Sequence, residues 1–98
     1  MMLDKQIALI TGASRGIGQG IAIELGRQGA TVIGTATSAS GAEAINGYFA
    51  ANHIQGRGVV LNVNDGDKIE QLVAETQQSY GAISILVNNA GITRDNLL

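Results

Sequence analysis

Cysteine and proline are both absent from this 98-residue sequence, and aromatic residues make up only 3% of it. Without cysteine there is no disulfide framework, no thiol nucleophile and no cysteine-based metal site. Without proline or any low-complexity tract there is no internal domain boundary, and the length suits one small domain and is too short for two. With so few aromatic rings, a core has to come from Ile, Leu, Val and Ala. At 45% apolar residues there is enough material for one, which argues against disorder. A positive charge excess is missing too: Lys+Arg number 6 against Asp+Glu 8, net −2, so no nucleic-acid-binding surface is indicated. The opening run MMLDKQIALITG is too short in apolar length for a signal peptide or a membrane span. The expectation is a soluble, cytoplasmic protein, which the lack of cysteine fits.

What the sequence does have is glycine, 14 residues, about twice the ordinary share of roughly 7%. The glycines cluster at the ends of apolar segments, where close approach or positive φ is required. Gln6 to Thr11 (QIALIT) is a continuous apolar run, the signature of a strand buried on both faces. From Gly16 to Gln28, Ile17, Ile21 and Leu25 recur every four positions with Ala22 beside them, which predicts one face of a helix, ended by Gly29. Thr31–Thr35 reads as a second buried strand, and Ser40–Asn52 as a second helix with Ala42, Ile45 and Phe49 on one side. Gly56 and Gly58 bracket the turn into a third strand, Val59–Val63. A third helix follows over Asp65–Tyr80, with Asp65 as N-cap, Asp67 in the first turn, and Ile69, Leu72, Val73 and Thr76 facing inward. Gly81 closes it, Ile83–Val87 is the fourth strand, and Asn88-Asn89-Ala90-Gly91 is the loop beyond. Strands alternating with helices imply right-handed crossovers and a parallel sheet. The expected fold class is therefore α/β, a Rossmann-type doubly wound sheet with order 3-2-1-4.

Thr11-Gly12-Ala13-Ser14-Arg15-Gly16-Ile17-Gly18 lies between the first strand and the first helix, where a dinucleotide pyrophosphate binds in such folds. Gly12 allows a tight exit from the strand. Gly16 lets the backbone approach phosphates, and Gly18 lets the helix pack close. The helix N-terminus adds N–H donors and a partial charge of roughly +0.5. A plain strand-to-helix turn is the alternative, and the βαβ context weighs against it. A Walker A loop is disfavoured, because Gly18 is followed by Gln19 and Gly20 instead of Lys and Ser/Thr. NAD sites carry an acidic residue at the end of strand two. Here that end reads Gly34-Thr35-Ala36-Thr37-Ser38, with no carboxylate to repel a 2′-phosphate. Arg15 stands beside the turn to pair with such a phosphate. At about 4 Å and an effective dielectric of about 20 the pair gains on the order of 4 kcal/mol before desolvation. A third of that is about a tenfold preference. The alternative for Arg15 is a solvated surface arginine; Thr37 is either a further phosphate donor or a plain strand-end residue.

TGASRGIG with NNAG in the fourth-strand loop resembles the short-chain dehydrogenase/reductase family, and VIGTATS, LNV and NNAGITRDNLL resemble its branch of bacterial β-ketoacyl-[acyl-carrier-protein] reductases. The resemblance covers the whole chain but under half of the family's usual length. It implies an NADPH-dependent oxidoreductase of fatty-acid synthesis, a homotetramer acting on substrates borne by acyl carrier protein. It implies that Gly12, Ser14, Arg15 and Ile17 line the pyrophosphate and 2′-phosphate site, with Thr37 on the 2′-phosphate side. Asn62 and Val63 flank the adenine, and Asn89 contacts the ribose, with Ala90 beside it in the motif. Asn88 and Gly91 shape the loop. Asn88 and Asn89 also have a structural reading, tying strand four to its neighbour. Asn62 stands where many members have Asp, and Ser84 where an acidic residue often precedes LVNNAG.

The family's Ser, Tyr and Lys lie downstream of NNAG, so no catalytic residue is assigned here. Tyr48 and Tyr80 are not followed by Lys four positions later, and His53, the single histidine, reads as a surface residue. Strand four would be left as a bare apolar edge. The expectation is accordingly the N-terminal, dinucleotide-binding part of one Rossmann-type domain, inactive on its own. A reductase of another ketone and a non-catalytic NADP-binding sensor stay open as alternatives.

Overall fold

The computed structural model describes residues 2–89. Within them strands and helices alternate as β1 (Ile7–Ile10), α1 (Gly16–Arg27), β2 (Thr31–Ala36), α2 (Ala39–Ala51), β3 (Gly56–Val60), α3 (Gly66–Ser79) and β4 (Ile85–Val87). All the strand pairs are parallel, and the sheet order is β3-β2-β1-β4, a Rossmann-like α/β sheet. The central strands β1 and β2 are buried at every position. That is the consequence of covering both faces with helices, and it explains their unbroken apolar runs. Side chains alternate across the sheet. Ala8, Ile10, Val32 and Ala36 pack with Ala22 of α1 and with Ile45 and Phe49 of α2. Leu9 and Ile33 point the other way, to Leu61 and Leu72 of α3. Fully burying a side chain such as Phe49 stabilises by roughly 1.5–3 kcal/mol.

The helices end where the sequence supplies caps. Gly29 has φ 103°, and Gly29 N–H donates to Gly26 while Ala30 N–H donates to Leu25, a Schellman motif. The α2 helix starts on Ser38, whose hydroxyl accepts from Gly41 N–H at 3.1 Å. It ends in a second Schellman motif with His53 in the position glycine favours, at φ 57°. Asp65 caps α3 by accepting from Lys68 N–H at 3.2 Å.

Three expectations need correction. The third strand runs Gly56–Val60, not Val59–Val63, so Asn62 and Val63 lie past its end. Its glycines are strand residues: a side chain on Gly58 would strike the Ala42 carbonyl and Ile45, and one on Gly56 would run into the Val32 carbonyl. Small residues let α2 and β2 come close there. The fourth strand is Ile85–Val87 and does not begin at Ile83. In front of it Ser84 binds the β1 backbone with its N–H and its hydroxyl, accepting from Ile7 N–H at 3.1 Å. Finally, Ile17 is not on the inward face of α1; it is 70% exposed. The helix packs instead on the small residues Gly18, Ala22 and Gly26, with Ile21 and Leu25 half-buried beside them. A side chain at Gly26 would meet Ile54, so this stripe sets how near α1 lies to the rest of the fold.

Candidate functional site

A cleft of about 600 Å³ opens at the carboxyl ends of the strands, beside the point where the chain order reverses between β1 and its two neighbours. Open α/β sheets bind ligands in that place. One wall is the β1–α1 turn, with Gly12, Ser14, Arg15, Gly16 and Ile17. The end of β2 adds Thr35, Ala36 and Thr37; Leu61, Asn62, Val63 and Asn64 follow β3; and Asn89 closes the β4 side.

The turn takes its shape from two glycines and a set of long-range hydrogen bonds. Gly12 and Gly16 have φ of 65° and 64°, a region that residues with a Cβ enter at a cost. Gly12 N–H donates to the Thr35 hydroxyl at 3.3 Å and Ala13 N–H to the Thr35 carbonyl at 2.8 Å. Asn89 Nδ2 donates to the Gly12 carbonyl at 3.0 Å, and the Thr11 hydroxyl donates to Asn88 Oδ1 at 3.2 Å. The two asparagines therefore do tie the end of β4 to the turn after β1, and Asn89 also faces the cleft. Tyr48 reaches over from α2 and donates to the Ala13 carbonyl at 2.6 Å. Burial raises the Tyr48 phenol to about 12, so it stays protonated as a donor.

Arg15 is the N-cap of α1, with extended backbone, and its side chain makes no capping hydrogen bond. Arg15, Gly16 and Ile17 at the start of this helix line the cleft. The helix thus turns its first-turn donors and the positive end of its dipole to the cleft. Among the described residues Arg15 is the sole charged one lining the cleft, and no Asp or Glu joins it. A side chain added at Gly16 would meet no protein atom, so that space is open. A side chain at Gly18 would collide with the Gly12 carbonyl and Asn89 Nδ2. The cleft is thus a neutral-to-positive cradle with glycine backbone on its wall, which fits a phosphate-bearing ligand.

The structure brings together every described residue that the sequence singled out for this site, except Gly18. Gly18 is buried behind the wall and acts by letting helix, turn and Asn89 meet. Ala90 and Gly91 lie outside the described residues. Asn62 holds a turn: its Oδ1 accepts from Asn64 N–H at 2.9 Å, and its carbonyl from Asp65 N–H, just ahead of the α3 cap. Sequence reasoning missed Thr35, Ala36, Leu61, Asn64 and Tyr48. For Thr35 a signal was present, a hydroxyl at the last turn of a buried strand. Tyr48 gave none, since its partner lies 35 residues away. His53 is exposed at the far end of α2. Among the described residues no group of His, Cys, Asp and Glu is placed to hold a metal, and no helix is long and apolar enough to cross a membrane.

The family model for short chain dehydrogenases matches residues 6–98. The 3-oxoacyl-[acyl-carrier-protein] reductase FabG of Pseudomonas aeruginosa is 58% identical over 98 residues, which is 100% of this chain and 40% of that protein. The FabG protein of Escherichia coli is 55% identical over 98 residues, covering 100% of this chain and 39% of its own length. That of Haemophilus influenzae is 58% identical over 93 residues, 95% of this chain and 37% of the relative. The chain spans about 40% of the length of these relatives. Parallel strands in the order β3-β2-β1-β4, a glycine turn opening on a cleft, and a match running nearly from end to end lead to one assignment: this chain belongs to the short chain dehydrogenase family.

Proposed function

We propose that this chain is the NADP(H)-binding, N-terminal part of a Rossmann-type domain in an oxidoreductase that reduces β-ketoacyl groups carried on acyl carrier protein. The relatives named above carry that reaction in their names, and the identity to them extends over the whole chain. The observation that carries the cofactor choice is electrostatic. Arg15 is the lone charge of the cleft among the described residues, and the end of β2 offers Thr35, Ala36 and Thr37 in place of a carboxylate. An acidic residue there accepts from a ribose 2′-hydroxyl and repels a 2′-phosphate; its absence favours the phosphorylated cofactor.

In this reading the start of α1 and the backbone from Ser14 to Gly16 receive the phosphates. Arg15 and Thr37 face the 2′-phosphate, Asn62 and Val63 border the adenine, and Asn89 borders the ribose while holding the Gly12 carbonyl. When bound, NADPH supplies the hydride for a carbonyl carbon. The chain's own residues contribute binding and orientation, and none is assigned to proton transfer. Tyr48, the one tyrosine near the turn, is engaged with Ala13 and kept neutral. A cytoplasmic homotetramer is the assembly we infer for the whole enzyme, on family grounds. Turnover of an acetoacetyl thioester tests the reading. The protein extended to the length of its relatives is expected to consume NADPH in preference to NADH, and residues 1–98 alone are expected to show no turnover. Preference for NADH, or catalysis by these 98 residues alone, contradicts it.

A further inference from the structure

The turn that faces the cleft is held at its centre by a side chain from an element with no part in the glycine motif. Ala13 is fully buried. Its N–H donates to the Thr35 carbonyl, and its own carbonyl accepts from the Tyr48 hydroxyl at 2.6 Å. The Ala13 methyl fills the space beside Gly34, where a Cβ would lie 3.0 Å away. Ala13 is therefore fixed from β2 on one side and from α2 on the other. The next residues, Ser14 and Arg15, line the cleft.

We infer that Tyr48 is a positioning residue for the phosphate-receiving turn, acting through the Ala13 carbonyl. The peptide joining Ala13 to Ser14 is planar and trans, so its C=O and N–H point in opposite directions. Holding the carbonyl toward Tyr48 aims the Ser14 N–H away from Tyr48 and fixes the peptide plane from which the rest of the turn proceeds. The flanking glycines at positive φ give this segment more freedom than other residues would, so an external tether has more to restrain. The tether is itself rigid: the Tyr48 ring meets the Phe49 ring edge-on at 5.1 Å, and Phe49 is buried in the core. A phenolate would repel a carbonyl, and burial raises the phenol above its ordinary value, in the direction that favours the donating form.

This inference rests on the reading of the cleft as an NADPH site. Its test is Tyr48→Phe, which keeps the ring and its packing on Phe49 and removes only the hydroxyl. The dissociation constant for NADPH is expected to rise roughly threefold to tenfold, the equivalent of one net hydrogen bond. Amide exchange at Ala13, whose N–H donates to the Thr35 carbonyl, is expected to quicken in the nucleotide-free protein. Ile54→Ala serves as the comparison: it opens the core beside Gly26, away from the cleft and from Tyr48, lowers the melting temperature and leaves the dissociation constant unchanged. A Tyr48→Phe protein that binds NADPH as tightly and protects the Ala13 amide as well as the unmutated protein overturns the assignment of Tyr48 alone. Failure of the unmutated protein to bind NADPH overturns the cofactor reading and this inference with it.

Discussion

The residues that matter most here divide into those whose role follows from chemical type and those whose role follows from contact. Gly12, Gly16 and Arg15 belong to the first group: positive φ and an anion-facing guanidinium are properties that spacing in a sequence reveals. Arg15→Ala is expected to weaken NADPH binding by about tenfold more than NADH binding, read by fluorescence titration of both nucleotides. Equal losses for the two would show that Arg15 does not distinguish them. Thr35 and Tyr48 belong to the second group. Neither is assigned to the site by the sequence; folding brings each to a turn 23 or 35 positions away. Ile17 is a third kind of case. Its spacing with Ile21 and Leu25 suggested a core face, but the smaller Gly18 and Ala22 win the place against the sheet. Close packing favours the residue that lets backbones approach, and hydrophobicity alone does not rank that.

At the level of elements, alternation of apolar runs and amphipathic stretches was enough to read four strands and three helices in order, and capping residues marked the helix ends. Register was less legible. Gly56 and Gly58 look like turn residues, yet they are in β3 because α2 and β2 leave no room for side chains there. His53 shows the opposite: a non-glycine residue where the backbone asks for glycine. It sits at φ 57°, and the flanking bonds, His53 N–H to Ala50 and Ile54 N–H to Phe49, complete the motif. His53→Gly is expected to stabilise the protein by about 0.5–1 kcal/mol, the relief of the Cβ strain less the added freedom of the unfolded chain. Urea unfolding monitored by circular dichroism measures it, with His53→Val as the strained counterpart that lowers stability. A loss of stability in His53→Gly would mean that the imidazole makes a contribution the backbone argument omits.

At the scale of the molecule, the order β3-β2-β1-β4 was foreseeable from the Rossmann-type pattern, and so was the site at the carboxyl ends of the strands. What pattern could not supply is how the pieces converge. Segments around residues 12, 35, 62 and 89 reach one cleft because each leaves a parallel strand at the same end. The result, among the described residues, is a site with glycine backbone on one wall, a single arginine, and no opposing carboxylate. Isothermal titration calorimetry of the folded protein with NADPH and with NADH tests that account most directly. It predicts one saturable site per chain for NADPH, with affinity at least about tenfold above that for NADH and falling as salt rises. No heat with either nucleotide, or tighter binding of NADH, would contradict it.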